Sequence, residues 1–182
     1  MAGRTQQAID ERAFGFLKTN DRGSKPRKHA ITEIRGPYYS ALGRRYLEDL
    51  FETMGTYVDA LKFAGGSFSL MPQQVLKELI SLCHDHHVLV STGGFIEHVL
   101  TQGSDAVNRY IRECKEVGFD IVEVSSGFIT LTADDWLRRG ERVQKVGLKD
   151  KTEVGSKFGT GGAARVEEME AEEKQKPEWP NW

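Results

Sequence analysis

The chain has 182 residues, 38% hydrophobic and 29% charged, with a formal net charge of −2. That length supports one domain with a proper core, and the near-neutral balance argues against a nucleic-acid partner. No stretch approaches the ~18 apolar residues of a membrane span, and the opening MAGRTQQAIDERAF lacks the apolar run of a signal peptide. Cys83 and Cys114 are the only cysteines; they give no disulfide framework and fit a reducing, cytoplasmic setting.

In chain order, AFGFLKTN (13–20) reads as a first strand, followed by a long basic loop, GSKPRKHAITEIRGPYY (23–39). Long loops in compact domains are often functional, and this one either folds over a site to hold an anion or is a solvated basic loop. Leu47, Leu50, Phe51 and Met54 mark one face of a helix. YVDALKF (57–63) reads as a second strand, and Val75, Leu76, Leu79, Ile80 and Cys83 mark a second helix after Pro72. HVLVSTGG (87–94) is a third strand, and Val107, Tyr110, Ile111, Cys114 and Val117 a third helix. FDIVEVSS (119–126) is a fourth strand, and Thr132 caps a helix through Trp136, Leu137 and Val143. Gly140 inside that helix costs about 1 kcal/mol relative to Ala. A weaker fifth strand lies near KTEVGSKF (151–158). The organisation expected is an N-terminal extension (1–12), a partial (β/α) barrel domain (13–162) and an acidic polar tail (163–182).

Strands alternating with helices at roughly 30-residue spacing predict a parallel sheet, either doubly wound or a (β/α)8 barrel. A GxGxxG turn after the first strand is absent, whereas every strand ends in polar or Gly-rich sequence: TNDRG, KFAGGS, STGGFIE, EVSSG and EVGSKFG. That pattern suits a barrel mouth ringed by loops. In IVEVS the valines share one face and Glu123 the other, which points it into the barrel, where it needs a cation or donors.

Asp21, Lys62, Glu97, Glu123, Glu153 and Lys157 fall near strand ends. Together they form either a carboxylate site for a divalent cation with lysines for an anion, or ordinary rim ion pairs. CHDHH (83–87) lies before a strand, at the face opposite the mouth, and reads as a solvated turn. GTGG (159–162) is either an anion-binding nest or a plain turn.

TNDRG, YVDALKFAGGS, STGGFIEHVL, CKEVGFDIVEVSSG and KDKTEVGSKF, in this order, resemble the phosphosulfolactate synthase family over residues 13–160. The wording is most similar to its eukaryotic branch, which includes fungal members and a plant heat-stress-associated protein. The resemblance implies a (β/α)8 TIM barrel and Mg2+-dependent addition of sulfite to phosphoenolpyruvate, giving (2R)-phospho-3-sulfolactate, an early step towards coenzyme M in methanogens. It implies Glu123 and Glu153 near the metal, and Lys62 and Lys157 as general acid and phosphate contact in an order left open. Asp21, Arg22, Gly94, Glu97 and Ser125 are implied around the substrate. The implied partners are small anions; a non-catalytic stress-tolerance protein on the same scaffold is the alternative.

Barrels of this type usually need about 250 residues, and about five strands are readable here. The expectation is a C-terminally truncated member of doubtful activity, weakly stable alone or paired with a second copy because an open parallel sheet exposes its edges.

Overall fold

The computed structural model describes residues 13–37, 40–127, 129 and 131–153. Five parallel strands form one sheet in the order β1 (Glu33–Arg35), β2 (Ala60–Lys62), β3 (Leu89–Ser91), β4 (Ile121–Ser125) and β5 (Lys149–Glu153). Between them lie α1 (Arg44–Met54), α2 (Gln73–Asp85), the short α3 (Ile96–Leu100), α4 (Ser104–Val117) and α5 (Ala133–Lys145). This is the α/β alternation that the hydrophobic periods predict.

Parallel register puts paired residues on the same face of the sheet. Leu61, Val90, Val122 and Val124 lie on the helical face and are at most 1% exposed. Against them pack Leu76, Leu79, Ile80 and Cys83 of α2 and Val107, Ile111, Cys114 and Val117 of α4. The opposite, inner face carries Glu33, Lys62, Ser91, Glu123, Ser125, Lys151 and Glu153. The sheet therefore has an apolar helical side and a polar inner side. Burial pushes both thiols, Cys83 and Cys114, up to about 12, so they act as core hydrophobes.

Helix boundaries follow local chemistry. Thr132 caps α5 by accepting a hydrogen bond from the Asp135 amide, and Asp134 and Asp135 occupy the first turn, where the helix dipole favours acids. Gly140 has a packing reason: a Cβ there would come within 2.9 Å of Asp150 Oδ2. Pro72 sits one position before α2, at its N-cap.

The first strand differs from expectation. Residues 13–17 form a turn closed by the Leu17 amide on the Phe14 carbonyl, with Phe14 at φ 60°. Phe14, Phe16 and Leu17 are exposed and join no strand. The first strand comes instead from within the expected loop, where EIR pairs with Ala60–Lys62. An apolar run is not a strand until a neighbour accepts its hydrogen bonds, and Glu33–Arg35 is the segment that β2 can reach.

The five described strands do not close on one another, yet the sheet is strongly curled. In a flat sheet, β1 and β5 would stand about 19 Å apart, four spacings of about 4.8 Å. Here Lys151 of β5 bonds Glu33 of β1 directly across the inner face. Strands one and five face each other across an eight-stranded barrel, and its interior is filled in layers from alternate strands. The curl is that of such a barrel.

Candidate functional site

The candidate site is a charged cluster on the inner face, built from four strands. Lys62 ends β2, and its Nζ lies 2.9 Å from Glu123 Oε2 and 4.0 Å from Glu33 Oε1. Lys151 Nζ lies 2.5 Å from Glu33 Oε1 and 3.3 Å from Glu123 Oε2. Two ammonium groups and two carboxylates thus alternate around a ring. Glu123 is 1% exposed, Lys62 and Glu33 21%, and Lys151 40%.

Burial by itself pushes the Glu123 carboxyl up. The hydrogen bond and charge of Lys62, a hydrogen bond with Glu153 and the charge of Lys151 outweigh it and hold Glu123 below the usual glutamate range. Burial opposes charge on Lys151 too, but its bond to Glu33 and the nearby Glu123 raise its pKa. Both groups are therefore charged at neutral pH.

The glycines after β3 make this packing feasible. Gly93 has φ 60°, and a Cβ there would meet the Phe63 carbonyl at 2.7 Å and the Lys62 stem at 3.3 Å. A Cβ on Gly94 would meet Ser125 Oγ at 2.7 Å. STGG is thus the seat that lets Lys62 and the end of β4 approach. Glu97, buried in the first turn of α3, accepts from Ser125 Oγ at 2.6 Å and from the Gly127 amide at 3.0 Å. It ties the end of β4 to the helix after β3.

Of the residues expected from sequence, Lys62, Glu123 and Glu153 come together in the cluster, with Ser125, Gly94 and Glu97 beside it. Lys157 lies outside the described residues, as do the GTGG turn and the acidic tail. Asp21 and Arg22 are elsewhere. Arg22 donates to Asp59 Oδ2, Thr32 Oγ1 and the Tyr57 and Ala30 carbonyls. Arg27 donates to Asp59 Oδ1 at 2.7 Å. Asp59 immediately precedes β2, so this second cluster marks the N-terminal edge of the sheet, opposite the mouth. TNDRG was expected to follow a first strand; because that strand is not formed, its residues lead into β1 from below. The basic loop likewise does not fold over the mouth: Lys25 and Arg27 pin it beneath the sheet, Lys25 Nζ bonding the Gly55 and His86 carbonyls.

Glu33 and Lys151 escaped the sequence reading. Lys151 was legible in period: it stands two before Glu153, so whichever face takes one takes both. Glu33 was hidden because a three-residue strand between charged and Gly-Pro sequence looks like loop. CHDHH forms the end of α2 and a turn, where His84 pairs with Asp120 and His86 stacks on Phe51. An apolar groove of about 340 Å3 lies on the helical side, between α2 and α4, and none of the inner-face charges line it.

A curled parallel sheet, with helices on one side and an ion-paired polar cluster on the other, inner side, defines a (β/α)-barrel-type protein. The chain belongs to the (2R)-phospho-3-sulfolactate synthase (ComA) family, which it matches over residues 20–180. It is 41% identical over 143 residues to Protein HEAT-STRESS-ASSOCIATED 32 of Arabidopsis thaliana, covering 79% of this chain and 50% of that one. It is 30% identical over 145 residues to a phosphosulfolactate synthase of Methanothermobacter thermautotrophicus, covering 80% of this chain and 54% of the relative. A phosphosulfolactate synthase of Methanocaldococcus jannaschii is 29% identical over 115 residues, which are 63% of this chain and 45% of the relative. The chain thus spans about half the length of the curated relatives it matches. No described helix is long and apolar enough to cross a membrane.

Proposed function

We propose that the inner-face cluster serves Mg2+-dependent addition of sulfite to phosphoenolpyruvate, giving (2R)-phospho-3-sulfolactate. The observation that carries the reading is the buried Glu123 carboxylate held at 2.9 Å by Lys62 on the inner face of a chain of this family.

The donor chemistry fits a divalent cation. Glu153 of β5 stands beside Glu123 of β4 on the inner face. Two neighbouring carboxyl groups make a donor set that a divalent cation balances. No group of three or more His, Cys, Asp or Glu side chains suited to a metal occurs among the described residues. Mg2+ is commonly held by one or two carboxylates with water and substrate oxygens completing its shell, so Glu123 and Glu153 would hold it here. When bound, the ion supplies stabilisation for negative charge growing on the substrate carboxylate.

In this reading sulfite sulfur bonds to the methylene carbon of phosphoenolpyruvate, and the double-bond electron pair moves towards the neighbouring carbon and carboxylate. The Lys62 ammonium gives its proton to that neighbouring carbon, which completes the addition without a leaving group. Glu123, 2.9 Å from the Lys62 ammonium, fixes its direction. Ser125 and Gly94, joined through Glu97 to the start of α3, shape the wall beside the reacting carbons. The expected assay signal is a phosphosulfolactate mass when the protein is incubated with phosphoenolpyruvate, sulfite and Mg2+, lost in Glu123→Gln. A folded protein that forms no such product counts against the reading.

A second reading has a specific basis, the 41% identity to a plant protein named for heat stress. It is a non-catalytic role in stress tolerance on the same scaffold. The same assay separates the two, because that role needs no turnover.

A further inference from the structure

We infer that Glu33 competes internally with the substrate anion for Lys151: it holds this ammonium in the resting protein and yields it when a small dianion, such as a phosphate ester, enters the mouth. The inference rests on reading the cluster as an anion site, and adds to that reading the residue that sets the threshold for binding.

The ring of Lys62, Lys151, Glu33 and Glu123 has two positive and two negative charges. The ring is neutral and the Glu153 carboxyl stands beside it, so an incoming anion finds little net attraction until one pair opens. The pairs are not equivalent. Glu123 is 1% exposed and would be left with an unbalanced buried charge if it lost Lys62, at 2.9 Å. Lys151 is 40% exposed and Glu33 21%, so water can reach both when they separate. Lys151 is also the more weakly tied of the two lysines to Glu123, at 3.3 Å. The pair that opens at least cost is therefore Lys151–Glu33. A monoanion replaces Glu33 one charge for one, whereas a dianion gains attraction, so the arrangement favours dianions. Glu33 touches no ligand in this scheme and is a positioning residue.

The test is calorimetric titration of inorganic phosphate into the 182-residue protein at low salt and pH 7.5, where phosphate is mostly dianionic. Glu33→Gln tightens phosphate binding by about 3- to 10-fold, the range expected for relief from a half-exposed ion pair. Lys151→Met weakens it by about 10-fold, and the double variant behaves as Lys151→Met. A purely structural role for Glu33 predicts the opposite sign, weaker binding in Glu33→Gln, and that result, or no change, overturns the inference. Should Glu33→Gln fail to fold, Glu33→Asp keeps the charge, withdraws it by one methylene and gives a smaller change of the same sign; weaker or unchanged binding in it overturns the inference equally. Opposite signs without phosphosulfolactate formation leave the inference standing and remove the synthase reading. Product formation with phosphate affinity unmoved by either variant does the reverse.

Discussion

Glu33 and Lys151, 118 residues apart in sequence and on the two edge strands of the sheet, are hydrogen-bonded across its inner face. The contact shows that the sheet is curled, and it brings inner-face residues of β1, β2, β4 and β5 to one cluster. Removing it tests the curl. A double-mutant cycle on Glu33→Gln and Lys151→Met gives a coupling of about 0.5–1 kcal/mol by urea denaturation, modest because both groups see solvent. Additive effects would mean that the pair does not hold the edges together.

Lys62→Met should cost more. It leaves Glu123 buried with only the more distant Lys151, and breaking a buried pair on one side costs about 3 kcal/mol. Adding Glu123→Leu to Lys62→Met recovers part of the loss, since the unbalanced charge is then gone. If the double variant is less stable than the single, the loss lies in packing rather than charge.

The Arg22–Asp59 cluster predicts a separation of stability from binding. Asp59 is 5% exposed, accepts from Arg22, Arg27 and the Thr32 amide, and is held below the usual aspartate range despite burial. Asp59→Asn and Arg22→Ala lower stability, by about 3 kcal/mol for Asp59→Asn. Neither changes phosphoenolpyruvate affinity, because the cluster lies at the far edge of the sheet. A weakened affinity in a folded Arg22→Ala protein would return Arg22 to the site.

Gly93→Ala combines a φ of 60° with a Cβ 2.7 Å from a backbone carbonyl. We expect a loss of about 2–3 kcal/mol together with displacement of Lys62. The check is thermal melting alongside phosphate titration: Gly103→Ala, where nothing lies within 4 Å, has positive φ alone and should cost less and leave binding intact.

The pH dependence follows in sign. Glu123 and Asp59 have lowered folded pKa values, so their stabilisation is present above the unfolded values of about 4 and is lost as pH falls through the folded ones. Lys151 has a raised value, so its contribution is complete below about pH 10.4 and disappears as pH rises through the folded value. The melting temperature should be flat from about pH 5 to 10 and fall on both sides. Lys151→Met removes part of the alkaline fall and, because the Lys151 charge helps hold Glu123 low, shrinks the acid limb without abolishing it.

β2, β3 and β4 were legible as short apolar runs, with period two clear only in the valines of IVEVS, and β5, KDKTE, only from the spacing of the units; the helices were legible because Leu76, Leu79, Ile80 and Cys83, or Val107, Ile111 and Cys114, recur with the helical period. The inward direction of Glu123 was legible from its valine neighbours. β1 was not, because three residues with one apolar side chain carry too little period, and AFGFLKTN carried more hydrophobicity without a pairing partner. The closeness of β1 to β5 was invisible: it depends on sheet curvature, which no local pattern encodes. The misplacement of Asp21 and Arg22 followed directly from the misread strand.

The most direct test of the account is calorimetric titration of phosphoenolpyruvate into the protein with and without Mg2+, repeated on Glu123→Gln checked for folding by circular dichroism. The account predicts binding that requires Mg2+ and disappears in the variant. Binding of equal strength in the folded Glu123→Gln protein, or no binding to the native chain, would contradict it.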